Sequence, residues 1–203
     1  MALAVFGWLA HAAPRGQTMS FDLAVRDAIH RWAPLPLTYA MRGVTQLGAE
    51  VFLVTLGLIL IWWLAAGGRR RAAVVLVAAA LGAEALTQIM KLVFQRPRPE
   101  TFFGYAEPLT YSFPSGHAMV SCCFYGVLAA ILAARQRSRG GRLAIWTVAA
   151  LLTGLIGYSR VYLGVHYPSD VLAGYAAAAV WLAVVQGGYE TWLRRASGRA
   201  PGA

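Results

Sequence analysis

Residues 72–93 read AAVVLVAAALGAEALTQIMKLV, an apolar run long enough for a helix to cross the ~30 Å hydrocarbon core of a bilayer. Arginines 69, 70 and 71 close it at one end, and Lys91, the only lysine of the chain, stands at the other. Similar stretches lie near 44–66, 116–134, 143–163 and 169–189. Of the 203 residues, 59% are hydrophobic and 13% charged, which is the composition of a membrane protein. Gly and Ala recur inside the runs, as at 78–80 and 176–179, so the helices can approach closely in lipid. The expected fold is all-α: one membrane-embedded domain over 1–203, a polytopic bundle of five to six transmembrane helices. Residues 1–43 form an N-terminal segment, 44–189 the bundle, and 190–203 a basic tail.

A net charge of +10 would suit a nucleic-acid binder if it formed one patch. Here the arginines fall between apolar runs instead. They cluster at 69–71, at Arg135, Arg137, Arg139 and Arg142, and at Arg194, Arg195 and Arg199. If the five spans alternate, all three clusters share one side, which the positive-inside rule makes cytoplasmic. Nucleic acid is therefore not an expected partner; membrane lipids are. The loop 94–115 and the turn 164–168 then face outward, to the periplasm or the cell exterior. The adjacent Cys122 and Cys123 sit inside an apolar run without metal-ligand spacing and read as small core residues.

The N-terminus follows another pattern. Residues 2–13 are apolar but short, and predict a shortened or half-inserted helix. From 21 to 32, Phe21, Val25, Ile29 and Trp32 recur at helical spacing opposite Asp22, Arg26, Asp27 and Arg31. That periodicity predicts an amphipathic helix lying on the membrane.

The polar residues at the outer ends of the spans carry the chemistry. Beyond Lys91, Arg96 and Arg98 alternate with Pro97 and Pro99, which force an extended path and bring the guanidinium groups back over the membrane surface. Arg98 suits bidentate contact with phosphate oxygens and Lys91 a point contact. After Pro114, Ser115-Gly116-His117 opens a helix with Ser115 at its N-cap, and a helix N-terminus offers free N–H groups to an anion. Ser159-Arg160 ends the next span. His166 precedes Pro168, and Asp170 falls in the first helical turn, where its carboxylate can hold one nitrogen of the His166 ring. A carboxylate so placed fixes the tautomer and makes the other nitrogen a better nucleophile.

These three blocks reproduce the pattern K-x6-R-P, P-S-G-H and S-R-x5-H-x3-D, and the chain thereby resembles the type-2 phosphatidic acid phosphatase superfamily. The resemblance covers 91–170 directly. It implies a helical membrane bundle that cleaves phosphate esters or anhydrides with no metal and no cofactor. It further implies that His166 is the nucleophile that becomes a phosphohistidine, Asp170 its orienting partner, and His117 the acid that protonates the leaving oxygen. Lys91, Arg98, Arg160 and the backbone at Ser115 and Gly116 would hold the phosphoryl oxygens, where charge spreads in the transition state.

Glu84 lies deep in an apolar run, where a carboxylate is costly and rarely faces lipid. With Gln88 and Lys91 it follows i, i+4, i+7 spacing, so it is expected to support Lys91 along one helix face. The expected substrate is a lipid phosphate or diphosphate, with undecaprenyl diphosphate ranked before phosphatidylglycerol phosphate and phosphatidic acid. Aromatic residues of the loop, Phe102, Phe103, Tyr105 and Tyr111, are candidates for contact with the lipid tail. The rival readings are a phosphotransferase from lipid diphosphate to another acceptor, and a catalytically idle transport or scaffold protein. The paired histidines and Asp170 argue against the idle protein, because binding alone needs only the cations.

Overall fold

The computed structural model describes residues 1–106 and 109–196, and all secondary structure among them is helical. Two short helices come first, α1 (Ala2–Ala12) and α2 (Met19–Arg31), followed by α3 (Leu35–Gln46) and α4 (Glu50–Ala66). The long helices are α5 (Arg70–Phe94), α6 (Gly116–Ala133), α7 (Arg139–Tyr162) and α8 (Pro168–Ala196). Each of these four is long and apolar enough to span a bilayer. A fifth span arises if α3 and α4 are joined across their break. The chain is a multi-span membrane protein of the expected all-α class.

Helix α6 is central and packs against α5, α7 and α8. Small residues set the spacing: a Cβ on Gly174 of α8 would meet the Ser115 carbonyl at 2.8 Å and Ala118 Cβ at 3.0 Å, so α8 lies directly on the start of α6. Outward, Leu58, Ile59, Leu81, Leu92, Leu143 and Leu151 are all exposed. In water such a surface would drive association; in lipid it is the ordinary outer face of a bundle.

The span expected at 44–66 is instead a broken pair. Helices α3 and α4 meet at 47°, and Ala49 is extended. Gly48 sits at the break, where a Cβ would stand 2.5 Å from Ile156 Cγ2 and 3.3 Å from His117 Cδ2. The backbone passes so close to α6 and α7 that only glycine fits. Helix α8 continues through Ala196, into the stretch read as the basic tail at 190–203. Residues 197–203, with Arg199, lie outside the described residues.

The arginine clusters meet at one end of the bundle. Arg69 and Arg135 both stand over the Trp63 ring, at 5.9 and 4.7 Å, and Arg71 stands 5.4 Å over Trp192. At the opposite end the two polar connections touch, where the Phe102 N–H donates to the Leu163 carbonyl at 3.0 Å. Helix α1 packs along α8, burying Leu9 and Ala13 with Phe113 and Ala173. Helix α2 is amphipathic as its periodicity requires, but its polar face divides: Asp27 and Arg31 are exposed, the Asp22 and Arg26 side turns inward, and Val25 and Ile29 of the apolar face are half-buried. Asp22 and Arg26 are buried, while Phe21, Leu23 and Trp32 are exposed.

Candidate active site

The long helices bring the ends of three spans and two connections to one place. Lys91 ends α5, and Gln95 leaves that helix in the left-handed conformation with φ 45°. The Pro-Arg alternation then runs without helix. His117 opens α6, Arg160 ends α7, and His166 lies in the turn before Pro168 starts α8. Lys91, Arg98, Gly116, His117, Arg160 and His166 all line one cavity of about 670 Å³. Asp170 and Ser115 are buried behind it.

The environment of His166 fixes its chemistry. Its Nδ1 stands 3.4 Å from Asp170 Oδ2, long for a hydrogen bond, and its Nε2 stands 3.3 Å from Arg98 Nη1. Arg98 can only donate, so Nε2 presents a lone pair and the ring proton belongs on Nδ1, facing the carboxylate. Burial, with Arg98, Arg160 and Lys91 nearby, holds the imidazole well below its ordinary pKa. A neutral ring with an unprotonated Nε2 at a cationic cavity is the form a nucleophile needs.

The cations are held mainly by residues outside the motif blocks. Arg98 donates from Nε to the Thr110 carbonyl at 2.5 Å, from Nη2 to Thr110 Oγ1 at 3.0 Å and from Nη1 to the Val165 carbonyl at 2.8 Å. Lys91 Nζ donates to the same Thr110 hydroxyl at 3.1 Å. Arg160 Nη1 donates to Thr45 Oγ1 of α3 at 2.7 Å, and its buried Nε meets no hydrogen-bond acceptor among the described residues. A buried guanidinium with an unused donor at a cavity wall is suited to an anionic ligand. Thr45 and Thr110 carry no motif signal, since isolated threonines in apolar or loop sequence are common.

Four expectations change in detail. The Ser115 N–H is not available to an anion, because it donates to the Asp170 carbonyl at 3.0 Å, and its hydroxyl caps nothing and is buried without a partner among the described residues. Of the backbone pair, only Gly116 keeps an N–H that by position has no acceptor within the helix. Arg96, expected to swing over the surface with Arg98, turns into the protein instead, although i and i+2 of a regular extended segment would share a face; two buried carboxylates, Asp22 and Asp170, draw it inward. It is 3% exposed and ion-paired with Asp170. Glu84 lines the cavity with Gln88 and Lys91, yet it accepts from Gln88 Nε2 at 2.5 Å, while Lys91 bonds Thr110. Phe102 and Phe103 stack on His30 and Tyr162, away from the cavity. The apolar lining comes instead from α4, α5 and α6, with Leu53, Leu58, Ile61, Leu76, Val77 and Phe124 among it. Glu50, which no pattern in the sequence marks, lines it too.

Known proteins share this fold. Phosphatidylglycerophosphatase B of Bacillus subtilis (strain 168) is 32% identical over 182 residues, which is 88% of each chain. An undecaprenyl-diphosphatase of Sulfolobus acidocaldarius is 33% identical over 98 residues, 46% of this chain and 43% of that one. The crystal structure of a transmembrane PAP2 type phosphatidylglycerolphosphate phosphatase from Bacillus subtilis superposes with a TM-score of 0.85 at 29% identity, covering 94% of both chains. The PAP2 superfamily model matches residues 72–192, from the start of α5 almost to the end of α8. That interval contains every motif residue around the cavity, and with the likeness over most of both chains it makes this chain a member of the PAP2 superfamily, a membrane lipid phosphatase.

Proposed function

We propose that this phosphatase hydrolyses the phosphate head of phosphatidylglycerol phosphate through a phosphohistidine, with the whole chain acting as one domain. The observation that carries the reading is the continuity of the cavity. Its cationic end, formed by Lys91, Arg98 and Arg160, runs into an apolar groove between α4 and α5. Val54, Leu58 and Leu81 of that groove are also exposed on the outer face, so it opens sideways toward lipid. Such a site accepts a phosphate from the aqueous side and an acyl chain from the bilayer.

In the reaction, His166 Nε2 attacks phosphorus as the bond to the leaving oxygen breaks, and His117 supplies the proton that oxygen takes. Asp170 stabilises the charge developing on the imidazole. Water, deprotonated by His117, then attacks the phosphohistidine, releasing orthophosphate and restoring His166. Lys91, Arg98, Arg160 and the Gly116 N–H stand where the three equatorial oxygens accumulate charge, the task a metal ion performs in other phosphatases. The arginine clusters at the opposite end of the bundle support a site on the outer face of the cytoplasmic membrane.

The likeness to a phosphatidylglycerophosphatase over 88% of both chains supports phosphatidylglycerol phosphate ahead of undecaprenyl diphosphate, which the sequence alone ranks first. The test is phosphate release by detergent-purified protein in EDTA, with these two lipids, phosphatidic acid and a water-soluble ester as substrates. The highest kcat/KM is expected on phosphatidylglycerol phosphate. A preference for undecaprenyl diphosphate would reverse the ranking, and release only with an added acceptor would make the protein a transferase.

Two substitutions probe the cavity wall. Arg160→Ala removes a buried cation whose Nε is unpartnered among the described residues, and should raise KM and lower kcat together, with kcat/KM down roughly 10²–10³-fold. Glu84→Gln keeps the Gln88 contact but removes the charge near Lys91. We expect a change in the orthophosphate inhibition constant of about threefold or more, and an unchanged constant and rate would end the supporting role.

A further inference from the structure

The strongest buried electrostatic feature outside the motif blocks is a two-armed bridge built on Arg96. Nη1 donates to Asp170 Oδ1 at 2.5 Å and Nη2 to Asp22 Oδ2 at 2.8 Å, and all three side chains are almost wholly excluded from solvent. The guanidinium lies 4.2 Å over the Tyr167 ring, which fixes its plane. Asp22 is itself saturated. Its Oδ1 accepts from the Ser169 N–H at 2.9 Å, and its Oδ2 accepts from the hydroxyls of Ser169 at 2.7 Å and Thr18 at 2.8 Å. A carboxylate on α2 thus caps the first turn of α8 while holding the cation that holds Asp170.

We propose that Asp22 is a positioning residue for the His166–Asp170 pair, and that the N-terminal amphipathic helix is thereby a working part of the active site. The inference rests on the nucleophilic role of His166 proposed above. Asp22 precedes the residues 72–192 that the family model matches, so the motif pattern contains no trace of it.

The argument is one of charge and geometry. Asp170 Oδ2 serves the His166 ring at 3.4 Å and the Tyr167 N–H at 2.9 Å, which leaves Oδ1 for Arg96. If Arg96 met Asp170 alone, the two charges would cancel, and little negative potential would remain to stabilise the imidazole as it gains charge in attack. Asp22 takes the second arm of Arg96, so the trio keeps a net charge of −1 beside His166. It also draws the guanidinium between two fixed points, and so keeps Asp170 Oδ2 turned to the ring. Arg26, one turn along α2, secures the same helix by donating to the Glu100 carbonyl at 2.7 Å. Helix α2 therefore buries Asp22 and Arg26 for a functional reason: these two clamp the loop and helix that carry the site.

The test compares Asp22→Asn, Asp170→Asn and His166→Ala in detergent, reading kcat, KM and the orthophosphate inhibition constant. Asp22→Asn should lower kcat about 10–100-fold, as loss of a carboxylate's outer partner does at comparable sites, with KM and the inhibition constant within about threefold. An unchanged kcat in folded Asp22→Asn, beside an inactive His166→Ala, overturns the positioning role while leaving the nucleophile intact. Turnover retained by His166→Ala would overturn the mechanism itself. A rise in KM and the inhibition constant matching the fall in kcat would mean general loosening of the site, and also refute the proposal. Should Asp22→Asn not fold, Arg96→Lys carries the same test, since an ammonium cannot span two carboxylates with a planar fork. The same kcat-selective loss is then expected, and wild-type kcat would refute the bridge.

Discussion

Replacing His166 by alanine is expected to lower phosphate release from every lipid substrate by at least ~10⁴-fold, about 5.4 kcal/mol of transition-state stabilisation. The size follows from its place. His166 lines the cationic cavity, 2% exposed, and its Nε2 is oriented by Arg98 at 3.3 Å. Of the two histidines that line the cavity, it alone has a carboxylate within 4 Å among the described residues. The pH dependence follows the same geometry. Because burial and three cations hold the imidazole well below its ordinary pKa, falling pH must pass that ordinary value before the ring protonates and loses its lone pair. The acid limb of kcat/KM is therefore expected below about pH 6.5. Acid-quench trapping of phosphoprotein with radiolabelled substrate, present in wild type and absent in His166→Ala, checks the covalent step directly. Substantial turnover by His166→Ala would exclude the phosphohistidine.

The bundle and the cavity wall were legible in the sequence for different reasons. Apolar runs such as 72–93 report the bilayer, because each residue contributes to one additive property. The motif blocks report the site, because their spacing places polar groups at helix ends. Neither signal reaches Gly48, which sits at the break in the first span close against Ile156 and His117, both remote in sequence. Nor does either reach Thr45 and Thr110, ordinary residues that acquire a role only by meeting Arg160, Arg98 and Lys91. Asp22 is the instructive case. Periodicity puts it on the polar face of an amphipathic helix, as the structure does, and the usual rule turns such a face to water. The tertiary fold instead offers Asp22 a buried arginine and an open helix N-terminus, which outweigh hydration because its charge is paired and hydrogen-bonded.

Asp170→Asn should produce the second-largest loss, about 10³–10⁴-fold in kcat with KM little changed. The two carboxylate oxygens perform different tasks, and the amide can perform only one of them. If the carbonyl oxygen of the introduced amide faces Arg96, the strong pair with Nη1 is kept in weakened form, and the amide NH₂ faces His166 Nδ1 and the Tyr167 N–H, which loses its acceptor. A donor there favours the tautomer protonated on Nε2, which has no lone pair to attack phosphorus. If the amide flips, its NH₂ opposes the Arg96 guanidinium, two donors meet in a buried site, and the cost falls on stability. The first orientation is favoured, because the contact it keeps, to a charged guanidinium at 2.5 Å, outweighs the ones it gives up, to the neutral Tyr167 N–H at 2.9 Å and the ring at 3.4 Å. The expected variant is thus folded, binds orthophosphate nearly as well as wild type, and fails in the formation of phosphohistidine. ¹⁵N spectra of histidine-labelled protein decide the point: wild-type His166 should carry its proton on Nδ1, and the variant on Nε2. A variant that keeps the Nδ1 tautomer and still loses kcat would show that Asp170 acts through its charge alone. Tautomer control would then be excluded, and Asp22→Asn should again lose less than Asp170→Asn, since it changes the charge one contact farther from the ring.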